Sequence, residues 1–305
     1  MKRIAEQTLE STKYLTEEES ESCICCGVRY AGTGPFCVRC QAPLELSRIV
    51  NSRGVPARFV PVLGASGAGK TVYLGLLLDI LSKDTQRISG LVTSAVSVRL
   101  QEQTTTALQN RRFPDKTPAE ADGWQWVHCE VTSHMKPKHY LDIITPDFGG
   151  EAIAQEIEQP GSYPAIRQVI AQSHGLLMLC DSVRVRDAAL GEDLFAMKFA
   201  SYLVGLHESL PGSKSKQKLD LPIAVVLTKS DVCPEAWDDP ATFASSNLPR
   251  LLQFCERKFA RYRFFASGVV GSSASLMDGY GCRTQIPFHI EPRGITEPLE
   301  WILDG

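Results

Sequence analysis

A short glycine-rich segment carries the residue types that phosphate chemistry requires. It fits the pattern GxxxxGK[ST] at every fixed position and consists of Gly64, Ala65, Ser66, Gly67, Ala68, Gly69, Lys70 and Thr71. Its glycines let the backbone turn tightly and direct successive N–H groups at phosphate oxygens. The Lys70 ammonium can then reach the β- and γ-phosphates, and the Thr71 hydroxyl can ligate Mg²⁺. The segment therefore predicts binding of a nucleoside triphosphate together with its metal ion.

Apolar segments on either side can hold this loop in position. Residues 57–63 predict a buried strand before the loop, and residues 72–81 predict an apolar helix after it. Phosphate-binding loops of this pattern lie between a strand and a helix, in that order. The start of the helix adds the positive end of its dipole. The complete match in this context favours triphosphate binding over a glycine turn that only packs a helix on a strand.

A second segment carries groups suited to a metal ion and a terminal phosphate. Residues 140–147 predict an apolar strand that ends in the DxxG pattern of Asp147 and Gly150, followed by Glu151. Asp147 can hold Mg²⁺ through water, and the N–H group of Gly150 can contact the γ-phosphate. DxxG alone is a common pattern, but its place after a strand and beyond Lys70 favours this role over a plain turn.

A third segment follows an uninterrupted apolar run, residues 221–227, which suits a strand covered on both faces. Its sequence is Thr228, Lys229, Ser230 and Asp231, and it resembles the [NT]KxD guanine box of P-loop GTPases. The resemblance implies that the Asp231 carboxylate accepts two hydrogen bonds from guanine, while the stem of Lys229 lies along the base. Adenine has no such donor pair, so one buried carboxylate can discriminate by on the order of 10⁴.

The three motifs in this order resemble the Ras-like GTPases of the translation-factor class over residues 57–270. The cysteine-bearing N-terminus, the opening GASGAGKTVYL and the long segment before DxxG resemble bacterial double-GTPase domains. Further strands are predicted at residues 175–181 and 263–266, and further helices at residues 163–174, 185–210, 240–261 and 297–302. We therefore expect an α/β fold: a P-loop GTPase domain over residues 56–305 with a doubly wound, mainly parallel sheet.

The resemblance also implies positions for a guanine-contacting loop and for a switch threonine. Ala266 and Ser267 end the predicted strand before that loop, and residues 273–274 are a competing choice. Thr117 is the predicted switch threonine, because its proline-bounded loop precedes a predicted hairpin of residues 126–132 and 139–144. Threonines 104 to 106 are instead expected to lie on a helix.

The predicted catalytic groups are Lys70, Thr117 and Glu151. Glu151 follows DxxG, where Ras-like enzymes commonly carry a water-orienting glutamine. A carboxylate there could accept a proton from water or repel the γ-phosphate, so hydrolysis could be slow or depend on an arginine from a partner. Four arginines could instead act in cis, and the sequence selects none of them: Arg111, Arg112, Arg184 and Arg186.

Half of the ten cysteines lie between residues 23 and 40. Two CxxC pairs, ten residues apart, can each place two thiolates on one side of a tight turn, which is the geometry of a tetrahedral zinc site. The predicted ligands are Cys23, Cys26, Cys37 and Cys40, and Cys25 could replace a neighbour. The cluster resembles a zinc ribbon over residues 23–46, in which a structural Zn²⁺ supplies the folding energy.

Composition argues against other classes of partner. The net charge of −3 means that nucleic acid would need a local basic patch, and the nearest one, Lys214, Lys216 and Lys218, is expected to be a solvated loop. Residues 1–22 predict a disordered acidic tail without a signal-peptide core, and the apolar run 74–81 is too short to span a bilayer. A cytoplasmic location is therefore expected, with no membrane partner.

We expect a Mg²⁺-dependent GTP-binding protein that hydrolyses GTP to GDP and regulates a partner in the bacterial cytoplasm. The expected partners are a protein effector, an activating protein or a second GTPase. Two alternatives remain at this point: a nucleotide-binding scaffold with little intrinsic hydrolysis, and a P-loop ATPase in which TKxD arises by chance.

Overall fold

The computed structural model describes residues 21–30, 34–54, 57–83, 85, 87–114, 125–135, 140–210, 218–277 and 283–304. The chain divides into two compact units, residues 1–57 and residues 58–305. The predicted acidic tail lies outside the described residues except for its last two, and so do Thr117, Lys214 and Lys216.

The first unit contains a small hairpin and one helix. Strand β1 (Glu21–Ser22) pairs antiparallel with β2 (Arg29–Tyr30), and helix α1 (Leu44–Asn51) follows Pro43. Helix α1 buries Leu44, Leu46 and Val50. The sequence reading missed this helix because eight residues show too little periodicity to separate a short helix from a loop.

Four parallel strands form the centre of the second unit. Their order in the sheet is β3, β7, β8, β9, and they span Val62–Gly64, Leu176–Asp181, Ile223–Thr228 and Tyr262–Ala266. Every residue of β7 and β8 is buried, as expected for strands covered by helices on both faces. The carboxyl ends of these strands therefore meet at one edge of the sheet, where α/β folds bind their ligands.

Three antiparallel strands lie beside β3. They are β4 (Ile88–Leu91), β5 (Trp126–Ser133) and β6 (Tyr140–Pro146), in the order β4, β5, β6. The predicted hairpin is thus present. A parallel bridge from Phe59 to Asp142 joins β6 to the chain that leads into β3. The predicted strand over residues 57–63 is regular only from Val62, since Pro61 has no N–H group to donate to a ladder.

Ten helices are described in this unit. They are α2 (Lys70–Ser82), α3 (Ala95–Gln109), α4 (Gly150–Glu158), α5 (Pro164–Ala171), α6 (Ser182–Asp187), α7 (Ala189–Glu208), α8 (Pro234–Asp238), α9 (Pro240–Asn247), α10 (Pro249–Lys258) and α11 (Glu297–Asp304). The single helix predicted over residues 240–261 is divided at Pro249, which lacks an N–H group and disfavours helical geometry at Leu248. None of these described helices combines the length and the apolar character needed to cross a membrane.

The sequence reading also missed a long two-stranded ribbon. Strands β10 (Gly268–Met277) and β11 (Arg283–Arg293) pair antiparallel, with register shifts near Val270 and Ser272. Strand β10 is rich in small residues and gives no clear alternation, so its period is not visible in the sequence. Ser273 and Ala274, the competing choice for the guanine loop, lie inside β10.

A buried tyrosine fastens the C-terminal segment to the helix after the glycine loop. Tyr73 of α2 is 2% exposed, and its hydroxyl donates a hydrogen bond to the backbone carbonyl of Ile295 at 2.7 Å. Ile295 and Leu299 belong to the same core cluster as Leu74 and Leu77. The end of the chain is therefore part of the core that supports α2.

Replacing Tyr73 with phenylalanine should destabilise this unit without altering its fold. The change removes the donor for a buried carbonyl oxygen, which costs about 1–3 kcal/mol. Urea unfolding should show a lower midpoint with an unchanged m-value. Tyr163→Phe is a matched control, because its hydroxyl bond to Gln155 is exposed to solvent. Equal stability of the Tyr73 variant and the wild type would contradict this account of the C-terminal segment.

Candidate functional site

The glycine loop connects the end of β3 to the start of α2, as its pattern predicts. Gly67 and Gly69 have φ values of +77° and +81°, in the left-handed region that favours glycine. A Cβ atom on Gly64 would lie 2.5 Å from the carbonyl oxygen of Leu179 on β7. The loop conformation therefore depends on these three glycines, and we call residues 64–71 the phosphate loop.

Lys70 lies along the phosphate loop with its amine directed at backbone carbonyls. The side-chain Nζ donates to Gly64 O at 3.1 Å and to Ala65 O at 3.2 Å. Burial lowers the pKa of the ammonium, and the negative charges of Asp147 and Glu151 oppose that shift. A buried cation among backbone groups and carboxylates is suited to bind the terminal phosphates of a nucleotide.

Thr71 and Asp147 meet beside the phosphate loop. The hydroxyl Oγ1 of Thr71 donates to Asp147 Oδ2 at 3.0 Å, and Asp147 is 4% exposed. A hydroxyl and a carboxylate are hard oxygen donors, the kind of ligand that Mg²⁺ prefers, with further positions filled by water and phosphate. The pair thus fits the predicted magnesium site.

The DxxG turn packs directly on the phosphate loop. A Cβ atom at Gly150 would lie 1.9 Å from Ser66 N and 2.5 Å from Ala65 C, so only glycine permits this approach. The next residue, Glu151, accepts a hydrogen bond from Ser66 Oγ at 2.6 Å. The segment from Asp147 to Glu151 is therefore joined to the phosphate loop at both ends.

The TKxD segment borders a pocket of about 250 Å³ that also reaches the phosphate loop. The wall residues that matter here are Gly69, Val72, Thr228, Lys229, Asp231 and Ser267. Asp231 Oδ2 accepts a hydrogen bond from Val270 N at 3.2 Å. Burial raises the pKa of the Asp231 carboxyl, and hydrogen bonds from backbone N–H groups act against that change. The pocket therefore presents a fixed, half-buried carboxyl group next to apolar walls.

Two hydrogen bonds join the TKxD segment to the phosphate loop and to the end of β7. Thr228 Oγ1 donates to Ala68 O of the phosphate loop at 2.8 Å. Lys229, whose φ of +58° is unusual for a residue with a side chain, places its Nζ 2.5 Å from Asp181 Oδ2. The sequence reading missed Asp181. Its place at the carboxyl end of a buried strand was the available signal.

The predicted guanine loop follows β9. Ser267 is buried, and its carbonyl accepts a hydrogen bond from Ser230 N at 3.0 Å, so it lies against the TKxD segment. Ala266 is the last residue of β9 and is half-buried. Ser267 thus borders the same pocket as Lys229 and Asp231, Ala266 precedes it at the end of β9, and Thr117 lies outside the described residues.

Comparison with protein-family models identifies part of this site. Residues 61–196 match the model described as Double-GTPase 1. This segment is similar to the Double-GTPase 1 domain. The match includes the phosphate loop and the DxxG turn, and it ends before the TKxD segment. Together with the parallel sheet and its flanking helices, it gives the chain a P-loop GTPase fold, as the sequence predicts.

Solved structures of similar fold share little sequence with the chain. The GTPase-like domain of S. cerevisiae Ski7, bound to GDP and inorganic phosphate, is 16% identical with a TM-score of 0.46, covering 81% of this chain and 49% of that chain. The SRb-GTP/SRX complex of the signal recognition particle receptor from Chaetomium thermophilum is 14% identical with a TM-score of 0.38. The match covers 72% of this chain and 93% of that chain. The chain spans about half the length of the Ski7 chains. No curated protein matches the sequence.

Outside the segment that matches Double-GTPase 1, the N-terminal unit forms two similar turns around its cysteines. In the first, Gly27 N donates to Cys23 O at 2.8 Å, and in the second, Gln41 N donates to Cys37 O at 2.8 Å. Gly27 and Gln41 have φ values of +68° and +59°. Each CxxC pair is therefore closed by a left-handed residue that folds the backbone back over the two thiols.

The four predicted zinc ligands converge between these turns. The Sγ atoms of Cys23, Cys26, Cys37 and Cys40 all lie within 4.8 Å of one another, with 3.5 Å from Cys23 to Cys40 and from Cys26 to Cys37. Tetrahedral zinc with Zn–S bonds of about 2.3 Å requires sulfur separations of roughly 3.8 Å. The cluster fits Zn²⁺. Cys25 is fully buried next to it, and its thiol contributes most to the lowered pKa of Cys23.

Metal analysis should find about one zinc ion per chain, because four thiolates complete a tetrahedral shell. Cys37→Ala should lose the metal and unfold the N-terminal unit, whereas Cys25→Ala should retain it. Inductively coupled plasma mass spectrometry of the freshly purified proteins measures both. Wild-type protein with less than about half an equivalent, or loss of zinc in Cys25→Ala alone, would contradict this ligand set.

Proposed function

We propose that the chain binds GTP with Mg²⁺, hydrolyses it to GDP and phosphate, and acts as a switch for a protein partner in the bacterial cytoplasm. The observation that carries this proposal is that one pocket is bordered both by Gly69 of the phosphate loop and by Asp231. One nucleotide in this pocket could therefore reach the proposed phosphate site and the proposed base site. The match to Double-GTPase 1 supports the same conclusion.

In this proposal each group of the phosphate loop binds a different part of the nucleotide. The backbone N–H groups and Lys70 bind the β- and γ-phosphates, and Thr71 with Asp147 holds Mg²⁺. The metal ion would neutralise charge between the β- and γ-oxygens. Gly150 N–H would contact the γ-phosphate, so the DxxG turn would lose a ligand when that phosphate is released.

The base is read at the other end of the pocket. Asp231 accepts from the guanine N1–H and amino group, the stem of Lys229 covers one face of the base, and backbone N–H groups of the segment after Ala266 contact its carbonyl oxygen. Lys229 is held by Asp181, and Thr228 by the phosphate loop. A carboxyl group that is already half-buried has little to lose from desolvation when guanine binds, and adenine would leave it unpaired.

A second candidate function is a nucleotide-binding scaffold with little hydrolysis. The hydrogen bond from Ser66 Oγ to Glu151 favours it, because this bond engages the side chain that would otherwise orient the attacking water. Measured phosphate release separates the two functions. A scaffold would bind GTP and leave it intact, whereas a switch would convert it, alone or with a partner.

Exchanging Asp231 for asparagine should change the base that the chain selects. An amide in place of the carboxylate can donate to the 2-oxo group of xanthine, so affinity should fall for GTP and rise for XTP. A loss for GTP on the order of 10²-fold or more is expected from an unpaired buried polar group. Competition against a fluorescent nucleotide measures both affinities. Asp238→Asn is the control, because Asp238 is an exposed carboxylate at the end of α8 that does not border the pocket. Unchanged GTP affinity in Asp231→Asn would show that Asp231 does not read the base.

Replacing Lys70 with alanine should abolish binding of every nucleotide. Hydrogen bonds to charged groups contribute about 1.5–3 kcal/mol each, so losing those to two phosphates should weaken binding by roughly 10² or more. Isothermal titration with GDP and GTP measures the loss, and circular dichroism checks the fold. Lys83→Ala is the matched control, because Lys83 is an exposed lysine at the other end of the same helix. A Lys70 variant that is folded and binds GTP normally would contradict the proposed phosphate site.

A further inference from the structure

One arginine side chain contacts the phosphate loop from the end of strand β7. Helix α6 begins immediately after β7, and Asp181 caps it by accepting hydrogen bonds from Val183 N at 3.0 Å and Arg184 N at 3.2 Å. Asp181 is 3% exposed and also pairs with Lys229. The backbone of Arg184 is thereby fixed at the carboxyl edge of the sheet, beside both nucleotide-binding loops.

The guanidinium of Arg184 is held on two sides. Its Nη1 donates to Ser66 O at 2.7 Å, and its Nη2 pairs with Glu192 Oε1 at 2.9 Å. The Arg184 side chain is 50% exposed and that of Glu192 is 12% exposed. A guanidinium is planar and carries five N–H donors, so two contacts leave further donors of the same fixed group for an incoming phosphate oxygen.

Ser66 connects this arginine to the predicted catalytic segment. Its carbonyl accepts from Arg184, while its hydroxyl donates to Glu151. The backbone of Gly150, predicted to contact the γ-phosphate, packs against Ser66 N. A positive charge, a carboxylate and the DxxG turn therefore converge on one residue of the phosphate loop.

The other three candidate arginines have different surroundings. Arg186 pairs with its neighbour Asp187, and both side chains are exposed. Arg111 and Arg112 follow the end of α3 and are exposed. Within the part of the chain that the structure describes, Arg184 is the one of the four with a contact to the phosphate loop.

We propose that Arg184 supplies in cis the positive charge that stabilises the transition state of GTP hydrolysis, an inference that rests on the proposed function. In this step a water oxygen forms a bond to the γ-phosphorus, and the bond from that phosphorus to the β–γ bridging oxygen breaks. The electron pair of that bond stays with GDP, and a water proton passes to solvent or to the released phosphate. Arg184 donates hydrogen bonds to the oxygens on which charge accumulates.

The contacts of Arg184 also connect it to the base site. Lys229 and Arg184 share Asp181 as partner, one through its side chain and the other through its backbone. A guanine base that fixes Lys229 would stabilise Asp181 in the orientation that caps α6. Binding of guanine would in this way help to hold the Arg184 guanidinium beside the phosphate loop.

Single-turnover phosphate release from GTP with Mg²⁺ tests the assignment in wild type, Arg184→Ala, Arg184→Lys and Arg186→Ala. Arg184→Ala should slow release on the order of 10³-fold, the lower end of the effect of an arginine at such a transition state. Its affinity for GDP should change by less than about 3-fold, since GDP lacks the γ-phosphate. Arg184→Lys keeps the positive charge but loses the planar, forked N–H donors of the guanidinium. Its phosphate release should be at least about 10-fold slower than that of wild type, and release from Arg186→Ala should match wild type.

A second measurement reports on the transition state without turnover. Aluminium fluoride should increase the affinity of wild type for GDP, and this increase should disappear in Arg184→Ala while GDP alone binds normally. If Arg184→Ala does not fold, Arg184→Lys carries both measurements, because lysine can still donate to Ser66 O.

If the Arg184 variants released phosphate at the wild-type rate, the inference would be overturned while the proposed function would stand. Equal losses of GDP and GTP affinity, with an unchanged rate constant for release, would also overturn it by showing that Arg184 only supports the loop. A wild type that binds GTP but releases no phosphate would remove hydrolysis and this inference together. A wild type that binds no GTP would refute the proposed function itself.

Discussion

The backbone of the DxxG turn lies directly on the phosphate loop, because residue 150 has no side chain. This close approach brings the carboxylates of Asp147 and Glu151 to opposite ends of the turn against Thr71 and Ser66. A group that binds beside this junction would therefore contact both the loop and the turn. In the proposed function that group is the γ-phosphate with Mg²⁺, and its removal would leave the turn without its ligand while the loop still holds the diphosphate. In the proposed function, switching would therefore depend on one position at which only glycine fits.

The phosphate loop also receives contacts from the strands on its other side. Thr228 from the end of β8 donates to Ala68 O, and Arg184 from beyond β7 donates to Ser66 O. Both side chains bind backbone carbonyl oxygens of the loop, so its N–H groups are left for a phosphate ligand. The proposed base site, the proposed phosphate site and the proposed catalytic charge are connected through these contacts. The parallel sheet makes this possible, since it places all of these strand ends at one edge.

Much of this architecture could be read from the sequence, because continuous apolar runs and fixed motif spacings identify buried strands and the loops that follow them. The reading was less successful where local signals are weak. It missed α1 and the β10–β11 ribbon, whose residues are few or small, and it joined α9 to α10 across Pro249. The contacts of Asp181 and Arg184 were missed for a different reason. Asp181 meets Lys229, and Arg184 meets Ser66, across 48 and 118 residues of chain. Such pairs become visible only when strand order is known.

The central claim is that one pocket selects guanine and binds it together with a Mg²⁺-triphosphate. Displacement of a fluorescent GDP analogue from the full chain by GTP or by ATP, with and without chelation of Mg²⁺, measures this directly. The account predicts that GTP displaces the probe at concentrations lower than ATP by on the order of 10³ or more, since adenine leaves the Asp231 carboxyl unpaired. Chelation of Mg²⁺ should lower the affinity for GTP more than the affinity for GDP. Equal displacement by ATP and GTP, or failure of the GDP analogue to bind, would contradict it.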